Sequence, residues 1–149
     1  MARQRDVGGK PKIARRAVAV GELALAPATR RAVRRGEVEK GDPIAAGELA
    51  GLLAMKRTPE LIPHCHVVPL TASRVEIRPS ARGVRVRAEA ASVDRTGVEM
   101  EALVAASIAL LTVWDMVKYL EKDHRGLYPR TSLGPVRVLA KRKGAAEAA

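Results

Sequence analysis

Phenylalanine is absent from this chain of 149 residues, which carries one tryptophan and two tyrosines. That poverty removes most of the stacking platforms with which proteins hold single strands or splayed-out bases. No zinc-finger spacing and no RNP-like motif takes their place. Cysteine is nearly absent too. Cys65 stands alone, which excludes an internal disulfide and fits a reducing compartment, so the expected location is the cytoplasm. The apolar run from Ala102 to Val113 reads as too short to cross a bilayer, and it ends on Asp115. The opening MARQRDVGGK has no apolar h-region, so no secretory signal is expected. No repeat at a solenoid period appears, and the only low-complexity stretch is the Ala-rich GAAEAA ending.

Positive charge, by contrast, is abundant. Lys and Arg number 27 against 16 Asp and Glu, a formal net charge of +11. The excess crowds the N-terminus (Arg3, Arg5, Lys10, Lys12, Arg15, Arg16), the run Arg30 to Arg35, and the end (Arg137, Lys141, Arg142, Lys143). Such a field implies an anionic partner. With stacking residues so scarce, a nucleotide-sized polyanion accounts for it as well as a nucleic acid does. The length fits one domain with a real core.

Turn and cap signals divide the chain. Residues 1–12 read as a mobile basic arm, 13–142 as a single domain, and 143–149 as a disordered tail. Ala17 to Leu25 reads as a strand, with Gly21 marking a bulge or a close approach. Pro27 opens a short basic helix that Gly36 stops. Asp42 and Pro43 are an N-cap and first helical residue for IAAGELAGLLAMKR, where Gly47 and Gly51 suggest close packing. Thr58 and Pro59 start a brief turn. VEIRP and VRVRAEA, separated by the Pro79 to Gly83 turn, alternate Val and Ile with Arg and Glu, as half-buried antiparallel strands do. A long helix follows Gly97 and fades by Lys122, then a polar loop, then a strand in PVRVLAK. This order predicts an α+β fold: a ferredoxin-like antiparallel sheet with helices packed on one face.

The long helix holds the most informative residues. At 100° per residue, Glu101, Asp115 and Lys118 fall within a sector of about 100°, with Val104, Ile108 and Leu111 on the same stripe. An acidic pair at a helix start complements the dipole. Asp115, embedded in LLTVWDMV, is costly to bury without a partner, and Lys118 one turn on is a candidate for that partner. His64, Cys65 and His66 look compact enough for a metal. In an extended chain, however, the two imidazoles point to one side and the thiol to the other, and zinc needs three convergent ligands. On its own residues, Lys40 in KGD reads as solvated surface. Lys56 and Arg57 read as ordinary helix C-terminal charges, and Met100 as core.

Two stretches carry a resemblance. LAMKRTPELIPHCHVVPLT (residues 53–71) and TGVEMEALVAASIALLTVWDMVK (residues 96–118), with KGD at Lys40 to Asp42, resemble the molybdenum-cofactor biosynthesis protein C family. The blocks come in family order, and the similarity covers about residues 5 to 142. His64 stands where the family commonly has Leu, Val67 replaces a common Pro, and the family's Gly-Lys-Ser-rich ending is here KRKGAAEAA.

The resemblance implies a cyclic pyranopterin monophosphate synthase. Its substrate would be 3',8-cyclo-7,8-dihydroguanosine triphosphate, and pyrophosphate would leave. Asp115, Lys40 and Lys118 would be catalytic. His64, Cys65, His66, Glu99, Met100 and Glu101 would contact substrate, and Lys10, Arg15, Lys56 and Lys141 would hold phosphates, with Asp6 a further candidate. It implies no redox cofactor and leaves Mg²⁺ assistance open. It also implies dimers that assemble into a hexamer with active sites at the interfaces. A basic nucleic-acid-binding or regulatory domain is the rival reading; it explains the charge but not Asp115 or Glu-Met-Glu.

Overall fold

The computed structural model describes residues 1–146. In order, the elements are β1 (Ile13–Ala24), α1 (Pro27–Arg35), α2 (Pro43–Lys56), α3 (Thr58–Leu61), β2 (Leu70–Pro79), β3 (Gly83–Asp94), α4 (Glu99–Glu121), β4 (Ser132–Leu133) and β5 (Arg137–Ala146). Every strand pairing is antiparallel. The sheet runs β2-β3-β1, and the far side of β1 is shared by β4 at Leu23 and Ala24 and by β5 along Ile13 to Val20. This is the ferredoxin-like arrangement the element order predicted, with the helices on one face.

Alternation decides which face is covered. Ala17, Ala19, Gly21 and Leu23 of β1, with Val84, Val86, Ala88 and Ala90 of β3, are buried beneath the helices. Facing them, α4 buries Ala102, Ala105, Ala106, Ala109, Leu110, Val113 and Val117. Small side chains on both sides let the helix settle close to the sheet. Gly21 is a close approach rather than a bulge: a Cβ there would lie 2.9 Å from Val136 Cγ2 and 3.0 Å from Leu110 Cδ1. Gly47 lies against Ala109 and Val113, and Gly51 against Ala105 and Ala109, so α2 runs antiparallel to α4 in direct backbone contact. The other face of the sheet is a lattice of ion pairs. Arg74 (3.5 Å) and Arg78 (2.6 Å) share Glu76, Arg85 reaches Glu22 at 3.7 Å, and Arg16 and Arg87 flank Glu89.

Caps fall where the sequence put them. Asp42 accepts from Ile44 N at 2.9 Å and Ala45 N at 3.1 Å, and Gly36 ends α1 at φ +69°. Three expectations need correction. First, β1 begins at Ile13, because its charged IARR start pairs with the end of β3. Second, the ending that read as a disordered tail from residue 143 continues β5, with Lys143 opposite Arg15 and Ala146 opposite Ile13. Strand pairing is made by backbone groups, so the open edge of β1 recruits KRKGAA despite its composition; residues 147–149 lie outside the described residues. Third, by length and composition the 23-residue α4 is apolar enough to cross a membrane, which the shorter Ala102–Val113 run did not suggest. Here it is the core helix between sheet and α2.

Candidate active site

Helix α4 presents chemistry at both ends. Near its C-terminal end, Asp115 and Lys118 are one turn apart on the exposed side, where Lys118 Nζ lies 2.7 Å from Asp115 Oδ1. Lys40 arrives from the α1–α2 loop, just ahead of the Asp42 cap that fixes where that loop ends. Its Nζ donates to Asp115 Oδ2 at 3.2 Å and to the Asp115 carbonyl at 3.1 Å. Each carboxylate oxygen thus faces one ammonium. Asp115 is held below the usual carboxylate range, first by the Lys118 hydrogen bond and then by the one from Lys40. Lys118 is pushed up by the Asp115 hydrogen bond and charge. The group is one carboxylate held between two lysine ammonium groups. The side chains are about half exposed, so a ligand can compete for either lysine.

At the start of α4 the groups are different. Glu101 is buried, at 4% exposure, and burial followed by the Glu99 charge pushes its carboxyl up. Glu99 pairs with Lys141 of β5 at 3.4 Å. Met100 is exposed, so it is not the core residue its helix position suggested. Cys65 is close enough to Glu101 that this charge, after burial, raises its thiol, which makes Cys65 a poor nucleophile at neutral pH.

The basic arm lies along the same region. Both imidazoles of the His-Cys-His segment contact the arm: His64 Nδ1 is 2.8 Å from the Arg3 carbonyl and His66 Nε2 is 2.7 Å from that of Arg5. Between them Gln4 donates to the Cys65 carbonyl at 2.7 Å. Arg15 donates to the carbonyls of Asp94 (3.3 Å) and Arg95 (3.2 Å), and Arg95 donates to that of Lys10 at 3.1 Å. Lys10, Arg15, Arg95 and Lys141 therefore gather near the start of α4. Lys56 ends α2, and the antiparallel packing carries it toward the same end of α4. Asp6, in contrast, accepts from Gly8 N at 2.8 Å and shapes a turn within the arm. Among the described residues no three His, Cys, Asp or Glu side chains converge as metal ligands do.

Sequence reasoning missed Arg95 and Tyr119. Arg95 directly precedes the TGVEMEAL block and Tyr119 directly follows WDMVK, so adjacency was the available signal. A hollow of about 670 Å³ sits elsewhere, on the open sheet face. Of its arginines, Arg78, Arg85 and Arg87 are already tied to Glu76, Glu22 and Glu89. The Lys40–Asp115–Lys118 cluster is the stronger candidate because Asp115 and Lys118 perturb one another and the group is open to a ligand.

Comparison with known proteins decides the lineage. The MoaC family model matches residues 4–144. The chain belongs to the MoaC family. Among similar MoaC relatives, the probable cyclic pyranopterin monophosphate synthase of Archaeoglobus fulgidus is 49% identical over 142 residues, 95% of this chain and 91% of that protein. The protein of the same description from Aeropyrum pernix is 49% identical over 139 residues, covering 93% of this chain and 95% of its own. That from Methanosarcina acetivorans is 47% identical over 143 residues, covering 96% and 90%. The match takes in every residue of both α4 clusters.

Proposed function

We propose that this chain is a cyclic pyranopterin monophosphate synthase of molybdenum-cofactor biosynthesis, a phosphorus–oxygen lyase acting in the cytoplasm. It would convert 3',8-cyclo-7,8-dihydroguanosine triphosphate to cyclic pyranopterin monophosphate and pyrophosphate. The observation that carries this reading is Asp115 clamped between Lys40 and Lys118 in a chain of MoaC ancestry. Rebuilding the purine-derived ring requires protons to be added and removed at positioned atoms, and ammonium groups held by one carboxylate can do that. Closing the cyclic phosphate requires a substrate hydroxyl to attack the α-phosphorus. The bond to the β-phosphate oxygen breaks, pyrophosphate departs, and the hydroxyl proton passes to a base. Lys10, Arg15, Arg95, Lys141 and Lys56 would hold the charge that leaves. The overall change is redox-neutral, so we assign no redox cofactor.

Helix geometry bears on assembly. Glu101 and Asp115 are separated by 14 positions of an unbroken helix, about 21 Å. Half-exposed Leu111 lies between them, an unsuitable bed for a triphosphate. If both ends serve one pocket, the simplest arrangement joins the start of α4 from one subunit to Asp115 and Lys118 of another. We therefore place the site at a subunit interface, in dimers that assemble into a hexamer.

The primary test is incubation of the purified chain with the cyclised substrate, followed by detection of pyrophosphate and the cyclic phosphate. Absence of both sinks the synthase reading. For the shared site, an Asp115→Asn chain is mixed with a Glu101→Gln chain, each inactive alone. Recovered activity is expected; none despite demonstrated subunit exchange places each complete site within one chain.

A further inference from the structure

We infer that Tyr119 is a positioning residue: its hydroxyl tethers the α1–α2 loop so that Lys40 is held on Asp115. The inference rests on the catalytic role proposed for Lys40 and Asp115. The observation behind it is a closed ring of contacts. Tyr119 lies one helical turn after Asp115, so both belong to the same stretch of the α4 surface. From there its Oη accepts a hydrogen bond from the Glu39 backbone N–H at 2.8 Å. Glu39 is the residue before Lys40, and Lys40 closes the ring through its two bonds to Asp115, one to the carboxylate and one to the carbonyl.

The loop needs such a tether. It runs from Gly36 at φ +69° to the Asp42 cap and contains Gly41 at φ +99°, so both flanks of the Lys40 segment turn at residues with left-handed backbones. Val38 is buried and fixes the first half of the loop. Glu39 and Lys40 are exposed and have no burial to hold them. A lysine side chain also loses more rotamer freedom on ordering than most. Fixing the backbone one residue upstream lowers the cost of returning that ammonium to one carboxylate. The tether is itself partly exposed, so it adds little to global stability while setting where a catalytic group can reach.

The groups acting on Asp115 are Lys118 of its own helix and Lys40 of the loop, and Tyr128 of the loop after α4 acts on Lys118. Loss of the tether therefore removes one of two ammonium partners and leaves the other.

The test is Tyr119→Phe, which keeps the ring and deletes the hydroxyl. The Asp115 carboxyl is titrated by NMR in the substrate-free chain, and turnover is measured in parallel. In Tyr119→Phe the Asp115 midpoint should rise toward the ordinary aspartate range, as it should in Lys40→Ala. The double variant should titrate like Lys40→Ala alone, because Tyr119 acts through Lys40. Turnover should lose about 3- to 10-fold in kcat, the share of one hydrogen bond, with KM and the melting temperature nearly unchanged. An Asp115 midpoint that is unmoved in Tyr119→Phe while Lys40→Ala shifts it overturns the tether. So does a midpoint that neither variant moves. A parent chain that titrates as expected but does not turn over substrate sinks the synthase reading and leaves the tether standing on its own titration.

Discussion

Gly47→Ala tests whether the contact between α2 and α4 is as close as it looks, and whether that contact also places Lys40. A Cβ at position 47 would meet Ile77 Cδ1 at 2.7 Å, the Ala109 carbonyl oxygen at 2.9 Å and Val113 Cγ2 at 3.0 Å. Two effects oppose each other. Alanine is the better helix former by about 1 kcal/mol. Forcing a methyl into a packed contact costs about 1–3 kcal/mol. Ile77 Cδ1 ends a flexible side chain and can swing away, but the Ala109 carbonyl belongs to helix backbone and moves only if the helices part. The upper half of the cost range therefore applies, and the net loss is about 1–2 kcal/mol. For a chain of this length that is a fall of roughly 2–8 °C in melting temperature. The substitution lies just over one turn after the Asp42 cap, so parting the helices there also draws Lys40 off Asp115. Thermal and urea unfolding would read the first effect and kcat the second. A variant as stable as the parent and equally active would show that the helices have room and that the glycine is incidental.

Asp115→Asn keeps the shape and removes the charge that two lysines share. Turnover should fall by about 10²- to 10⁴-fold with little change in unfolding, and near-normal turnover would remove Asp115 from the mechanism. Lys40→Ala and Lys118→Ala should each cut kcat strongly, with deficits that do not add; strictly multiplicative deficits would argue against a single unit. Lys10→Ala, Arg15→Ala and Arg95→Ala should weaken substrate binding more than they slow the bound complex, and should flatten its salt dependence. Unchanged affinity and salt slope would reduce the arm to a solubilising segment. Glu101 has a raised carboxyl pKa in the folded chain, so its contribution is present below the unfolded value of about 4.3 and is lost as pH rises through the folded value. Urea midpoints across this window should show less of that loss in Glu101→Gln, and identical pH profiles would mean that Glu101 is not desolvated. Asp115 has the opposite sign: its contribution holds above the unfolded value and is lost as pH falls through the depressed folded one.

How much of the fold could be read in advance depended on how local each signal was. The Asp42-Pro43 cap, the Gly36 stop and the Pro79 to Gly83 turn are written in adjacent residues, and each appears where expected. The alternation of VEIRP and VRVRAEA predicted both faces of the β2–β3 pair, and the structure pairs the outer arginines with glutamates. Elements defined by a partner were less legible. The start of β1 and the end of β5 are rich in basic residues, and pairing makes them strands: IARR with the end of β3, and KRKGAA with IARR. Gly47 and Gly51 signalled a close contact but not its partner, which tertiary packing supplies.

The site divides along the same line. Asp115 and Lys118 are three apart on one helix, so periodicity alone put them together. Lys40 lies 75 positions from Asp115, and nothing in KGD distinguishes it from a surface lysine. Resemblance singled it out, and the structure supplies the physical reason: a capped, glycine-flanked loop that ends on the exposed side of α4. Arg95 and Tyr119 have no signature of their own type, and each holds a backbone group, the Lys10 carbonyl and the Glu39 amide. Both tie a basic segment to a helix or strand. Catalytic groups on such segments gain reach, and a single hydrogen bond to the neighbouring backbone can restore their aim without freezing the segment. The residues that carry charge were therefore readable from composition and family pattern. Those that aim the charge became visible only once the chain was folded.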